Sequence, residues 1–379
     1  MRYRSFPRIP DLPVSVLGFG AMRLPVQGGN PAQIDEELTA KLLRAAIDGG
    51  VNYVDTAYVY HGGQSEVVLG RLLRGGLREK VLIADKSPTW LVQSEGDWER
   101  LLDEQLRRLD TNRIDFYLIH ALNAGLWESV RKFNGLKALE RAKRDGRIKH
   151  LGFSFHGSPA TFKTIIDSYD WEFCQIQYNY MDEQFQAGTE GLHYARSKQI
   201  GVVVMEPLRG GALAASMPED VQRIWAKAPV QRKPAEWALR WVWDHPEVVT
   251  ALSGMNHPDQ LRENLASAEA AQAGAMDEQE LTLVEAVRAT FAARTSVPCT
   301  TCGYCQPCPG GVAIADVFSF YNSATMFDAR KATARVYDAI LVQGGRGADR
   351  CLACGECEPK CPQGIAITEK LQEAHTALS

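Results

Sequence analysis

Cysteine is almost missing from the first three-quarters of this 379-residue chain, where only Cys174 precedes residue 299. That rules out a disulfide framework for the larger part of the molecule. No apolar run approaches the roughly 20 residues of a membrane span. The opening MRYRSFPRIP has no apolar core of the kind a secretory signal carries, so a cytoplasmic protein without a membrane partner is expected. Charge of one sign is not in excess either: a net charge of -4 offers no basic field for nucleic acid. The stretch GFGAMR, Gly18 to Arg23, lacks the third glycine of a dinucleotide fingerprint and is a weak signal.

What is present is a repeating cycle. Hydrophobic residues make up 45% and charged residues 23%, ordinary values for a globular protein. Residues 1–13 are Pro-rich and read as irregular. Short apolar strands then follow at Val14–Gly20, Val51–Asp55, Val81–Asp85, Ile114–Ile119, Ile148–Ser154, Phe173–Gln177, Val202–Glu206 and Val248–Leu252. Helical stripes separate them. One carries Leu38, Leu42, Ala45 and Ala46 and stops at Gly49-Gly50; another carries Trp98, Leu101, Leu102, Leu106 and Leu109 behind Asp97, a candidate N-cap. Strands this uniformly apolar belong to a parallel sheet covered on every face, and eight of them close most naturally as a (β/α)8 TIM barrel.

In such barrels chemistry collects at the C-terminal ends of the strands. Asp55 and Tyr60 follow the second strand, Lys86 ends the third, and His120 ends the fourth. A lone histidine there would be ordinary core packing, but a carboxylate, phenol, ammonium and imidazole at consecutive strand ends form a constellation. A phenol with its usual pKa of about 10 is a poor acid near neutrality. A neighbouring ammonium favours the phenolate and brings it nearer to use. Asp55 can pair with Lys86 and aim it, Tyr60 can protonate a carbonyl oxygen that gains charge, and His120 can orient that carbonyl.

These residues resemble the aldo/keto reductases: DTAxxY after a strand, a strand ending on Lys86, and IDFYLIH ending on His120. The resemblance covers roughly residues 5–290 and implies a TIM barrel, a small-molecule carbonyl substrate, a nicotinamide cofactor, and Asp55, Tyr60, Lys86 and His120 as catalytic tetrad. It further implies that Gly20 borders the cofactor and that Ser154 and Gln175 hold the nicotinamide carboxamide. Glu206, Leu208 and Gly210 would follow the pyrophosphate, and Glu263 and Asn264 would reach adenine. Two departures bear on specificity. Met205 stands where the family usually stacks an aromatic ring, and Gly254 and Gln260 stand where it usually grips a 2′-phosphate, leaving Arg262 as the nearby cation. NADPH and NADH both stay open.

Beyond about Ala292 the pattern changes to Cys299, Cys302, Cys305 and Cys308, followed by Pro309, and Cys351, Cys354, Cys357 and Cys361, followed by Pro362. The second run has the spacing of bacterial ferredoxins, in which the fourth cysteine ligates the other cluster; the first departs by one residue. Two [4Fe-4S] clusters are therefore expected, on Cys299, Cys302, Cys305 and Cys361 and on Cys351, Cys354, Cys357 and Cys308, with zinc as the rival. Helical segments at Ala313–Tyr321 and Ala329–Leu341 separate the runs. Thus residues 1–290 are expected to form the barrel, and 291–379 a small, mostly α-helical ferredoxin-type iron–sulfur domain. The whole chain resembles the subgroup of aldo/keto reductases with such a C-terminal domain. The expected function is reduction of a carbonyl compound accompanied by, or coupled to, electron transfer, with a redox partner protein as an option. Two alternatives stand beside it: an electron-transfer or scaffold protein with an inactive barrel, and a reductase whose clusters are structural or oxygen-sensing.

Overall fold

The computed structural model describes residues 1–214, 217–299 and 303–379. Ten strands run β1 (Tyr3–Phe6), β2 (Ile9–Ser15), β3 (Leu17–Gly20), β4 (Tyr53–Asp55), β5 (Leu82–Ser87), β6 (Ile114–Leu122), β7 (Ile148–Phe155), β8 (Phe173–Gln177), β9 (Gly201–Met205) and β10 (Val248–Ser253). The last eight close into a parallel barrel in the order β3-β4-β5-β6-β7-β8-β9-β10, with β10 returning to β3. This is the TIM barrel expected.

The helices in chain order are α1 (Glu36–Asp48), α2 (Gln64–Leu72), α3 (Gly96–Arg108), α4 (Ala124–Lys132), α5 (Gly135–Arg144), α6 (Pro159–Asp167), α7 (Gly188–Ser197), α8 (Glu219–Trp225), α9 (Pro234–Asp244), α10 (Pro258–Glu269), α11 (Glu278–Ala293), α12 (Ile314–Met326), α13 (Arg330–Tyr337) and α14 (Ile367–Leu378). None is long and apolar enough to cross a membrane among the described residues. The local rules are visible at their ends. Asp35 caps α1 by accepting from Leu38 N, Gly49 closes it, and Gly50 turns the chain into β4 at φ 92°. Ser158 caps α6, whose first residue is Pro159. Asp97 lies inside α3, not at its cap, and accepts from the backbone of Gln93 and Ser94.

The N-terminus departs from expectation. Residues 3–15 form an antiparallel hairpin, β1 with β2, and the expected strand Val14–Gly20 is divided between β2 and β3 at Val16. Pro10 and Pro13 concealed it: proline is tolerated on a two-stranded ribbon, where half of the backbone donors face no partner. The hairpin sends Phe6 into the lower barrel, with its ring 5.3 Å from that of Phe116 and 5.6 Å from that of Phe173. Tyr53, Ala84, Leu118, Val203 and Val249 complete that apolar layer.

The chain forms two compact units. One comprises Met1–Leu213 with Lys233–Asp277, the other Ala214–Arg232 with Glu278–Ser379. In the second unit, α8 and α11 join the C-terminal helices: Arg294 bridges Asp220 and Asp328 at 3.1 and 3.0 Å, and Phe291 meets Phe327. A small core of Val312, Ile314, Val317, Phe318, Tyr337 and Leu371 lies at its centre.

Phe6→Ala should cost about 3–5 kcal/mol, because the lower barrel is closed by this ring and has no mobile neighbour to refill the space. Urea unfolding followed by tryptophan fluorescence measures it; an unchanged midpoint would show that the hairpin is dispensable.

Candidate active site and cysteine cavities

Strand register builds the site. Tyr53, Ala84, Leu118 and Phe173 point into the lower barrel, and side chains two residues further along a strand share a face. Hence Asp55, Lys86, His120 and Gln175 are the next inward residues on β4, β5, β6 and β8. Ser154 on β7 is level with Gln175, and Lys86 is level with Leu118. Each inward row thus changes from apolar to polar at its last step, where the strands open to the mouth.

Lys86 is fully buried and donates to Asp55 Oδ1 and Oδ2, both at 2.7 Å, and to Thr56 O at 2.6 Å. The carboxylate and phenol around Lys86 hold it protonated against burial, so its pKa lies above the usual value. Burial pushes the Asp55 carboxyl upward, and Lys86 opposes it. The Tyr60 ring centroid lies 5.0 Å from Lys86 Nζ. Here the geometry corrects the sequence reading. Burial is the largest influence on Tyr60, outweighing the pull of Lys86, and Asp55 adds to it, so the phenol pKa is raised. The Tyr60 phenol is accordingly protonated near neutrality. His120 is pushed well below the usual imidazole range by burial, Lys86 and His156, so it is neutral too. Its ring packs edge-on to Tyr60 and 5.1 Å from Trp90, and its buried Nδ1 has no hydrogen-bond partner.

Behind this row lies a layer that the motifs did not reveal. Asp85 points outward and accepts from Lys86 N at 2.8 Å through Oδ1 and from Gln105 Nε2 at 2.8 Å through Oδ2. Gln105 also donates to Glu66 and to Lys86 O, and accepts from the Tyr117 hydroxyl at 2.6 Å. Burial and the adjacent Glu66 raise the Asp85 pKa well above the carboxylate range. Arg108 closes the network at Glu66, 2.9 Å. The available signal was an acid directly preceding Lys86 on an otherwise apolar strand. Trp90, 42% exposed beside His120, was also overlooked, although a tryptophan three residues beyond a strand end invites notice.

The expected nucleotide contacts are distributed around the same mouth. Gln175 Oε1 is buried without a partner, while its amide nitrogen faces the Met205 sulfur at 3.5 Å. Ser154 Oγ accepts from Ala121 N at 2.7 Å and keeps its own proton to donate. An unpaired amide oxygen beside a free hydroxyl suits a carboxamide. A Cβ on Gly20 would lie 3.3 Å from Ser253 O, so the backbones pass closely there. Glu206, at φ 55°, accepts from Gly210 N and pairs with Arg23 at 3.2 Å; Leu208 is half-buried between them in sequence. Glu263 is tied to Lys233, and Asn264 is buried, donating to Ser253 Oγ at 3.0 Å. Arg262 pairs with Asp259 at 2.8 Å.

In the second unit the cysteines line two cavities. One is bordered by Cys305, Cys308, Cys351, Cys354 and Cys357. The other is bordered by Cys299, Cys305 and Cys361. Cys302 lies outside the described residues. The fourth cysteine of each run therefore faces the cavity of the opposite run, and thiolates in such sets suit iron–sulfur chemistry. Cys174 is buried on β8, its thiol pushed up by burial.

Comparison with known proteins identifies the family. The family model for the aldo/keto reductase family matches residues 16–287, and that for the 4Fe-4S dicluster domain matches residues 298–366. L-galactose dehydrogenase of Arabidopsis thaliana is 27% identical over 296 residues, covering 73% of this chain and 91% of that protein. The NADH-specific methylglyoxal reductase of Escherichia coli is 25% identical over 307 residues, covering 68% and 90%. The solved aldo-keto reductase AKR11C1 from Bacillus halodurans superposes with a TM-score of 0.63 at 24% identity, covering 76% of this chain and 96% of that one. The chain belongs to the aldo/keto reductase family and carries a C-terminal 4Fe-4S dicluster domain.

Proposed function

We propose that the protein reduces a small carbonyl compound at the barrel mouth with a nicotinamide nucleotide, and that its C-terminal unit holds two [4Fe-4S] clusters. The observation that carries the first part is the fully buried Lys86, which spends its donors on Asp55 and Thr56 beneath a neutral phenol and a neutral imidazole. A nicotinamide bound there would supply a hydride. Ser154 and Gln175 would hold its carboxamide through the free hydroxyl and the unpaired amide oxygen. His120 donates a hydrogen bond to the substrate oxygen and fixes the carbonyl plane. As negative charge grows on that oxygen, Tyr60 gives up its proton, forming the alcohol, and the Lys86 ammonium stabilises the phenolate left behind. Trp90 forms a wall of the pocket beside His120.

For the C-terminal unit, the crossover of Cys308 and Cys361 between cavities supports ligand sets Cys299, Cys302, Cys305, Cys361 and Cys308, Cys351, Cys354, Cys357. Such clusters would transfer single electrons. One observation also favours a structural contribution: most of these cysteines pack directly on the small core of the unit.

Three outcomes test the proposal. Protein prepared without oxygen should contain about eight iron and eight sulfide per chain. A content near half of that would remove one cluster, and stoichiometric zinc would refute both. Titration with NADH and NADPH should give affinities within about tenfold, or about 1.4 kcal/mol, because Gly254 and Gln260 offer no cation and Arg262 and Lys233 are already paired. A thousandfold preference for NADPH would require a cation elsewhere. Finally, with a carbonyl substrate found by anaerobic screening, Tyr60→Phe should lower hydride transfer by about 10²- to 10⁴-fold and leave nucleotide affinity nearly unchanged. Because the active phenol is protonated and its pKa is raised, the wild-type rate should be flat through neutrality and decline only on the alkaline side. Lys86→Met should shift that decline to still higher pH. Full turnover by Tyr60→Phe would exclude the mechanism.

A further inference from the structure

We infer that the segment leading into the second cysteine run is a docking face for an acidic one-electron carrier protein, an inference that rests on the clusters of the proposed function being redox-active. Across most of the molecule cations are matched: Arg78 and Arg113 with Asp115, Arg108 with Glu66, Arg147 with Asp103. Between residues 330 and 350 this ceases. Arg330, Lys331, Arg335, Arg346 and Arg350 are all exposed, and among the described residues none meets a carboxylate within ion-pair distance. The two acids of that segment, Asp338 and Asp349, leave a clear positive excess in a chain whose net charge is -4.

The surface is not merely charged. Val336 and Ile340, one helical turn apart, are 46% and 48% exposed amid the cations. An apolar patch ringed by like charges is the anatomy of a docking interface. Its location ties it to electron transfer. Arg350 directly precedes Cys351, and a Cβ on Gly310 would lie 2.3 Å from Arg350 O, so both cysteine runs meet at this residue. Leu352, 66% exposed, and exposed Cys354 border the first cavity next to it. A carrier seated at the Arg350 end of the cationic segment lies beside the cavity that Leu352 and Cys354 border. Charge complementarity selects an acidic protein, and the exposed aliphatics give it an apolar centre to bury.

The test uses the full-length, cluster-loaded protein and the double variant Lys331→Glu, Arg335→Glu, whose charges are exposed, with unchanged iron content as the folding check. The probe is a reduced [2Fe-2S] ferredoxin of strongly negative net charge; reduced methyl viologen, a small cation, is the control. Bleaching of the clusters by ferredoxin should slow at least about tenfold in the variant, within the range of electrostatic steering, and the wild-type rate should fall with added salt. Methyl viologen should reduce both proteins equally. A ferredoxin rate indifferent to the reversal or to salt overturns the docking face, as does loss of binding to anionic vesicles or RNA at an unchanged ferredoxin rate. Clusters that methyl viologen cannot reduce would instead remove the redox reading itself, and the docking face with it.

Discussion

The buried ion pair between Lys86 and Asp55 is the constraint around which the barrel unit is built. Desolvating an ammonium and a carboxylate costs several kcal/mol per ion, and only good geometry with further hydrogen bonds repays it. Here the repayment is specific: both carboxylate oxygens and the Thr56 carbonyl converge on one nitrogen. The backbone of β5 must then be immobile, because a small slip would leave a charge unpaired in the core. The network of Asp85, Gln105, Glu66 and Tyr117 provides that immobility by gripping Lys86 through its own N–H and C=O. The pair is better understood as a device for positioning than as a source of stability. It holds a fixed positive charge beneath a phenol that burial keeps neutral.

Much of this was legible in the chain, for a definable reason. Parallel strands buried on both faces must be continuously apolar, so an ionisable residue at the end of one is conspicuous, and Asp55, Lys86 and His120 were conspicuous three times over. The crossover of Cys308 and Cys361 was readable as well, because cluster geometry constrains thiolate spacing more tightly than most motifs constrain anything. What escaped was set by tertiary context. The hairpin at residues 3–15 looked irregular because its prolines suit a ribbon and its apolar anchors, Phe6 and Val14, are few and far apart. Helix α4 escaped because Ala124–Lys132 directly precedes α5 and has too few apolar residues for a stripe of its own. The sign of the Tyr60 shift could not be read at all: proximity to Lys86 argued for a lowered pKa, and only the depth of burial reverses it.

The chemistry of the two units differs in electron count. Hydride transfer moves an electron pair, whereas a [4Fe-4S] cluster moves one electron at a time, and the sequence contains no flavin motif to convert between them. On the proposed reading, the barrel mouth has all that its own reaction asks of the protein: a proton donor, a charge beneath it and an orienting imidazole. On the same reading the C-terminal unit handles single electrons, with the exposed cations of residues 330–350 preceding its second cysteine run.

The covalent path nevertheless joins them more closely than a tail would. The chain leaves the barrel unit after Leu213, contributes α8 to the cysteine unit, and returns at Lys233 before α9 and β10 complete the barrel. It crosses again at Glu278, where α11 packs with α8 and, through Phe291, with Phe327 next to α12. A boundary drawn at residue 290 would therefore cut through α11 and strip the cysteine unit of a helix whose Val284, Val287 and Phe291 are buried. Arg294 would lose part of its setting too, since it binds Asp220 from one passage of the chain and Asp328 from the other. The segment between Leu213 and Lys233 begins just beyond Glu206–Gly210, the loop expected to follow the pyrophosphate. Because chain connectivity starts one unit at Ala214, between β9 and β10 of the other, the cysteine unit is not a simple C-terminal appendage to the barrel. Part of its framework is drawn from within the barrel sequence.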